Sequence, residues 1–289
     1  PRSPNVEYYA RVVKEKAVLR ASISAATAVL TAAYEEEPPA AIIEDGVRRL
    51  LALSAPLHAG VVPIHAAVQE YVAALDMDHG LGLPTGFRDL DDMVGGLQKA
   101  TLTIVAARPS VGKSTWAVNV ANSLACAATA TALFSLEMSQ RAVAAQVLAQ
   151  TACVDATRTA RKMLGQTDWL KLSDALETLV GRPFYLVSGF HTVTQVDAWS
   201  RRLMTEHGVQ AVFIDYLQLM ANDRAKDRQQ EIAYLSRALK RLAVDQDLAV
   251  VALSQLNRAP EGRKDKRPQI SDLRESGALE QDADLVLLL

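Results

Sequence analysis

Cysteine is nearly absent from this chain of 289 residues: Cys126 and Cys153 are the two present, without a CxxC spacing and without paired histidines. That argues against a disulfide framework and against a cysteine–histidine metal site, and it fits a reducing cytoplasm. Aromatic residues are also scarce, at 5%, which speaks against a surface built mainly on base stacking. No excess of one charge sign exists either. Lys and Arg number 31 against 33 Asp and Glu, a net charge of −2, so any polyanion-binding surface has to be local. Long hydrophobic runs are missing too. The longest apolar-looking stretch, Ala117–Leu136, is interrupted by Asn119, Asn122 and several threonines and divides better into a helix and a strand than into a membrane span. There is no signal-peptide pattern.

What remains is the composition of a globular protein, 49% hydrophobic and 22% charged, long enough for one large domain and a smaller one. The chain opens on Pro1 and closes on Leu287-Leu288-Leu289 within a strand pattern, so a fragment of a longer protein is expected. Residues 1–53 read as a helical hairpin. Ser3-Pro4 offers an N-cap and first turn, Val12, Leu19, Ile23, Ala26 and Leu30 recur at helical spacing, and Glu35–Pro39 breaks the pattern before Ile42, Val47 and Leu50. Residues 54–80 read as a linker with a short amphipathic helix striped by Ile64, Val68, Tyr71 and Leu75. The stripe suits packing on its own domain and docking on a neighbouring subunit equally. From residue 81 to 289 strands and helices alternate. Strands are expected at 101–107, 131–136, 183–187, 209–215, 248–254 and 283–289, and helices at 115–127, 139–150, 193–207 and 229–245. Near-continuous apolar strands between helices imply an α/β fold with a mostly parallel, doubly covered sheet.

The densest chemical signal lies at Thr101–Thr115, TLTIVAARPSVGKST. An apolar strand runs into a loop closed by Gly112-Lys113-Ser114, and a helix follows. This is the order in which backbone N–H groups and a helix N-terminus cradle phosphates. Ala107, Arg108, Pro109, Ser110, Val111, Gly112, Lys113, Ser114 and Thr115 form the candidate nucleotide loop. Lys113 would reach the outer phosphates and the Ser114 hydroxyl would sit on Mg²⁺. The pattern asks for glycine at its first position, where this chain has Ala107.

A nucleotide hydrolase also needs a metal-side carboxylate, a group that orients water and a sensor of the γ-phosphate. Open α/β sheets place such groups at the C-terminal ends of strands. Asp215 ends the run Ala211–Ile214 and suits the metal, although an aspartate there could also cap a turn. Glu137 ends Ala132–Leu136 and could polarise water, or it could be a surface glutamate opening a helix. Gln255 ends Val250–Ser254, where a neutral amide could bond the γ-phosphate. Two basic clusters follow these strands. Arg224, Lys226 and Arg228 come after Asp215, and Arg258, Arg263, Lys264, Lys266 and Arg267 come after Gln255, where they could contact a polyanion in step with the nucleotide.

The strings TGFRDLDDMVGGL (85–97), AARPSVGKST (106–115), FSLEMS (134–139), FIDYLQLM (213–220), RQQEIAYLSRALKRLA (228–243), LSQLNR (253–258) and SDLRESGALEQDAD (271–284) together resemble the bacterial DnaB-type replicative DNA helicases. The opening NVEYYARVVKEKAVLR (5–20) resembles the end of that family's N-terminal domain. The resemblance implies a RecA-like motor domain in a homo-hexameric ring around single-stranded DNA, using ATP and Mg²⁺ to move 5′ to 3′. It implies Lys113 and Ser114 on phosphate and Mg²⁺, Asp215 on the metal, Glu137 as the catalytic glutamate and Gln255 as the γ-phosphate sensor. It also implies Arg274, Glu275 and Gly277 on the DNA backbone, with Arg263, Lys264, Lys266 and Arg267 in the adjacent pore-facing region. The family accepts AARPS before its GK[ST], so Ala107 fits. The helix at 64–75 matches the linker helix that packs on the next subunit. Primase and a helicase loader are the further partners implied. Most of the N-terminal domain would precede this sequence, and the arginine finger would follow Leu289. A RecA-type recombinase and an ATP-gated clamp with vestigial hydrolysis share the nucleotide signature, but the linker helix and the DLRESG turn favour the helicase over the recombinase.

Overall fold

A computed structural model of the chain describes residues 4–36, 38–54, 63–75, 82–215, 228–257, 265 and 267–289. The chain forms two compact units, Pro1–Ala66 and Ala67–Leu289. In the first unit, α1 (Pro4–Tyr34) and α2 (Pro39–Ser54) pair as a hairpin. The contact is tight where α2 carries Gly46, since a Cβ there would lie 2.8 Å from Val29 Cγ2. Pro39 opens α2, where its fixed φ suits a first turn and its missing N–H costs nothing. Ser3, offered above as the cap of α1, lies outside the described residues. Helix α3 (Ile64–Leu75) leaves Ile64, Val68, Tyr71 and Val72 exposed.

The second unit is the expected α/β body. Six parallel strands run in the order β5-β4-β6-β7-β3-β8. They are β3 (Leu102–Ala107), β4 (Thr131–Ser135), β5 (Phe184–Val187), β6 (Ala211–Asp215), β7 (Ala249–Gln255) and β8 (Leu285–Leu288). The four inner strands β4, β6, β7 and β3 are buried almost throughout, because helices cover both sides of the sheet. On one face Ile104, Phe134, Ile214 and Val250 pack with Val196 of α9 (Val193–His207) and with Ile232, Leu235, Leu239 and Leu242 of α10 (Arg228–Gln246). On the other, Val105, Leu133, Phe213 and Val251 pack with Val118, Val120 and Leu124 of α5 (Lys113–Cys126) and with Val143 and Val147 of α6 (Gln140–Ala152). Each such fully buried side chain contributes roughly 1.5–3 kcal/mol. Helix α9 is fixed at both ends: Thr192 and Gln195 form a capping box, and Gly208 closes it with φ +66.

The strands fall where the apolar runs placed them, trimmed at their ends by one or two residues, except that β7 extends one residue further, to Gln255. Helix α5 begins at Lys113, two residues earlier than the pattern at 115–127 suggests, because Gly112 in a left-handed conformation caps it. Several elements were not anticipated. An antiparallel pair, β1 (Gly82–Leu83) and β2 (Leu97–Gln98), flanks α4 (Arg88–Val94). Helices α7 (Ala156–Ala160) and α8 (Gln166–Leu179) lie between α6 and β5. Helix α8 has no clean apolar stripe: Trp169, Leu170 and Leu176 are exposed while Asp168 is buried, capping its own helix and paired with Arg158 at 2.7 Å. A 3-10 helix (Ile270–Ser276) leads into α11 (Gly277–Asp282).

Candidate nucleotide site

The site gathers at the C-terminal ends of β3, β4, β6 and β7, which adjacency in the sheet brings together. Ala107 is opposite Gln255 in the β3–β7 ladder, and Ser135 is opposite Asp215 in the β4–β6 ladder. Two further backbone bonds tie the strand ends: Leu256 N–H donates to Ala107 O (3.0 Å) and Leu136 N–H to Asp215 O (2.8 Å). From Ala107 the chain leaves the sheet, turns through Val111 N–H to Arg108 O (3.3 Å) and enters α5. Two residues of this loop have positive φ, Ser110 at +67 and Gly112 at +108. At Gly112 an added Cβ would meet nothing within 4 Å, so the loop leaves open space in front of it. Such a concave loop at the N-terminus of a helix of 14 residues aims N–H groups and a positive dipole end into that space.

The resulting cleft, about 530 Å³, is lined by Ala107, Arg108, Pro109, Ser110, Gly112, Lys113, Ser114, Thr115, Glu137 and Gln255. The structure therefore brings the loop residues, Glu137 and Gln255 to one space. Val111 is the exception among the loop residues. It is 53% exposed and outside the lining.

Asp215 sits behind the lining, 2% exposed. Its Oδ1 lies 3.9 Å from Lys113 Nζ, and Ser114 hydrogen-bonds the carboxylate. Oδ1 itself is buried without a hydrogen-bond partner. Burial pushes the Asp215 carboxyl above its usual range, against Ser114 and Lys113, while Glu137 adds to the rise. Burial likewise pushes Lys113 below the usual lysine range, against the pull of Asp215 and Glu137. In both groups burial disfavours the charged form. A hydroxyl beside a buried, incompletely satisfied carboxylate is the donor set a hard divalent cation takes, so the residues present fit Mg²⁺ with a nucleotide polyphosphate.

Sequence reasoning missed two supports. Ser135 pins the turn that carries Glu137, and Asp272 joins the end of β7 to the 3-10 helix. Asn257 N–H donates to Asp272 O (3.2 Å), and Gln269 N–H to Asp272 Oδ2 (2.7 Å). Both residues stood in quoted motifs, but a buried serine and an aspartate before a turn carry no chemical signature. Arg274 and Glu275 lie in the 3-10 helix and Gly277 opens α11, within reach of this link along the chain. Arg267 is exposed. Arg224 and Lys226, and Arg258, Arg263, Lys264 and Lys266, lie outside the described residues.

A parallel sheet of this order, with a phosphate loop leading into a helix and polar side chains on the neighbouring strand ends, defines a RecA-like P-loop domain. The model of the DnaB-like helicase C terminal domain matches residues 82–289, and the chain belongs to that family. It is 40% identical over 300 residues to the replicative DNA helicase DnaB of Geobacillus stearothermophilus, covering 100% of this chain and 66% of that protein. A solved ATPase domain matches with TM-score 0.73 and 35% identity, over 80% of this chain and 84% of the other. A solved DnaB-like replicative helicase, described with its interactions with primase, matches with TM-score 0.77 and 30% identity, over 99% of this chain and 68% of the other. The chain thus spans about two thirds of the first relative's length. Among the described residues no helix is long and apolar enough to cross a membrane.

Proposed function

We propose that this chain is the motor portion of a replicative DNA helicase, hydrolysing ATP with Mg²⁺ at subunit interfaces of a homo-hexamer and moving 5′ to 3′ on single-stranded DNA in the cytoplasm. The observation that carries the reading is the convergence of Lys113, Ser114, Glu137 and Gln255 on one cleft with Asp215 directly behind it. Membership of the DnaB-like family and the relatives' names support the same reading. Residues 1–53 are then the remnant of an N-terminal domain, 54–80 the linker whose helix packs on the next subunit, and 81–289 the motor. Primase and a helicase loader are the expected partners.

In this site Lys113 and the N–H groups around Gly112 hold the outer phosphates, and Ser114 and Asp215 hold the cation. A bound Mg²⁺ supplies Lewis-acid neutralisation of charge on the phosphate oxygens. Glu137 accepts a hydrogen bond from the attacking water, whose oxygen forms a bond to the γ-phosphorus as the bond to the β,γ-bridging oxygen breaks and ADP leaves. Gln255 bonds the γ-phosphate and registers its loss at Leu256 and Asn257, the latter bonded to Asp272. Arg274, Glu275 and Gly277, with Arg263, Lys264, Lys266 and Arg267, contact the DNA backbone. Such contacts are to phosphates, so binding is sequence-tolerant and falls steeply with salt.

The test is the whole protein with a forked duplex. Glu137→Gln retains binding of a non-hydrolysable ATP analogue and loses both turnover and unwinding. Persistent turnover in that variant, or DNA binding indifferent to salt, would overturn the reading.

A further inference from the structure

We propose that Ser135 is a positioning residue for Glu137, fixing the backbone from which its carboxylate reaches the cleft. The proposal rests on the reading of Glu137 as the group that polarises the attacking water.

Ser135 is the last residue of β4 and only 4% exposed. A hydroxyl at such a position needs partners, because a buried polar group without them is costly. It has both kinds. Its Oγ donates to Met138 O (2.9 Å) and accepts from Met138 N–H (3.1 Å), so one side chain clasps Met138 at its amide and its carbonyl. The clasp closes a four-residue turn in which Glu137 is the exposed member between two anchored neighbours. Leu136 donates its N–H to Asp215 O (2.8 Å) and packs against one core cluster. Met138 packs against the core cluster on the other face of the sheet. The Glu137 backbone is therefore held from the strand side by Asp215 and from the far side by Ser135.

This geometry also places the turn in register with the metal-side carboxylate, since Ser135 and Asp215 are ladder partners. An alanine at 135 would keep the strand and both apolar anchors. It would remove the clasp on Met138 and let the peptide on the far side of Glu137 rotate. Misplacement of a water-orienting group by about 1 Å can cost on the order of 100-fold in rate. Nucleotide affinity would survive, because Ser135 is not among the residues that line the cleft.

The experiment compares S135A, S135T and E137Q in the whole protein with single-stranded DNA and Mg²⁺-ATP. Steady-state turnover, binding of a non-hydrolysable ATP analogue and the thermal unfolding midpoint are read for each. For S135A the expected result is a fall in kcat of roughly 10- to 100-fold with KM and analogue affinity changed by less than about twofold. S135T keeps the hydroxyl on the same carbon and should recover most of that loss. An S135A enzyme that turns over like wild type while E137Q is dead would overturn the positioning role and leave Glu137 standing. Parallel losses of analogue affinity, kcat and unfolding midpoint in S135A, unrescued by S135T, would assign Ser135 to packing and overturn it too. Turnover by E137Q would instead remove the reading of Glu137 beneath it.

Discussion

The Lys113 ammonium and the Asp215 carboxylate stand 3.9 Å apart, beyond hydrogen-bond reach, with side chains only 11% and 3% exposed. Each is penalised by burial more than it is helped by the other, so Lys113 titrates below its ordinary 10.5 and Asp215 above its ordinary 3.8. Asp215 Oδ1 has no hydrogen-bond partner, so a bound cation would relieve the cost of burying the carboxylate, as phosphate oxygens at Lys113 would relieve that of the ammonium.

The linkage to stability follows in sign. Folded Lys113 holds its proton less tightly than the unfolded chain does. Between its lowered pKa and 10.5 the unfolded state binds more protons, and stability therefore rises with pH through that window. Asp215 acts in the opposite sense near the acid end: its folded pKa is raised, so stability falls as pH climbs past 3.8. Lys113→Met should abolish the alkaline rise in nucleotide-free protein, as read from denaturant unfolding at stepped pH. Nucleotide binding should restore the lysine's proton affinity and draw protons from solution at pH values between its lowered pKa and 10.5. Calorimetry in buffers of different ionisation heat would detect that uptake, and its absence in wild type would count against contact between Lys113 and phosphate.

Much of this was legible beforehand because the signals are local. A strand, a loop with Gly112 and a helix are adjacent in sequence, and the α10 stripe of Ile232, Leu235, Leu239 and Leu242 is entirely buried, as its spacing implies. Asp215, Glu137 and Gln255 each end an apolar run, and parallel order carries run ends to one edge of the sheet. The supports were not legible because they depend on tertiary partners. Asp91 holds Thr85 through its N–H and its hydroxyl, both at 2.8 Å, and nothing in TGFRDLDD announces that. The roles of Ser135 and Asp272 appear only once strand register is known.

Gly112 offers a sharper separation of fold from function. At φ +108 with no atom within 4 Å of a Cβ, its substitution meets backbone strain but no clash. Gly112→Ala should cost about 1–2 kcal/mol of stability, seen as a modest drop in the unfolding midpoint. The added methyl would enter the space in front of the phosphate loop. ATP affinity should accordingly fall by more than about tenfold, that is by more than about 1.4 kcal/mol, while the fold survives. Equal binding by wild type and variant in calorimetry would mean that the phosphates lie elsewhere.

Asp272 tests whether the nucleotide edge and the Arg274 turn communicate. It is 2% exposed, and its Oδ2 accepts from Gln269 N–H while its carbonyl accepts from Asn257 N–H, two residues beyond Gln255. Asp272→Ala removes the side-chain acceptor and leaves the Gln269 N–H unpaired, a cost of roughly 1–3 kcal/mol confined to this turn. The residues lining the cleft are untouched, so DNA-independent ATP turnover should stay within about twofold of wild type. The Asn257 N–H keeps its bond to the residue 272 carbonyl, but the turn that presents that carbonyl loses its side-chain hold on Gln269, and stimulation of turnover by single-stranded DNA should fall. Asp272→Asn keeps an acceptor oxygen for Gln269 and should retain most of the stimulation. If Asp272→Ala is stimulated as fully as wild type, the link through Asn257 and Asp272 does not carry the signal, and the coupling must run by another route.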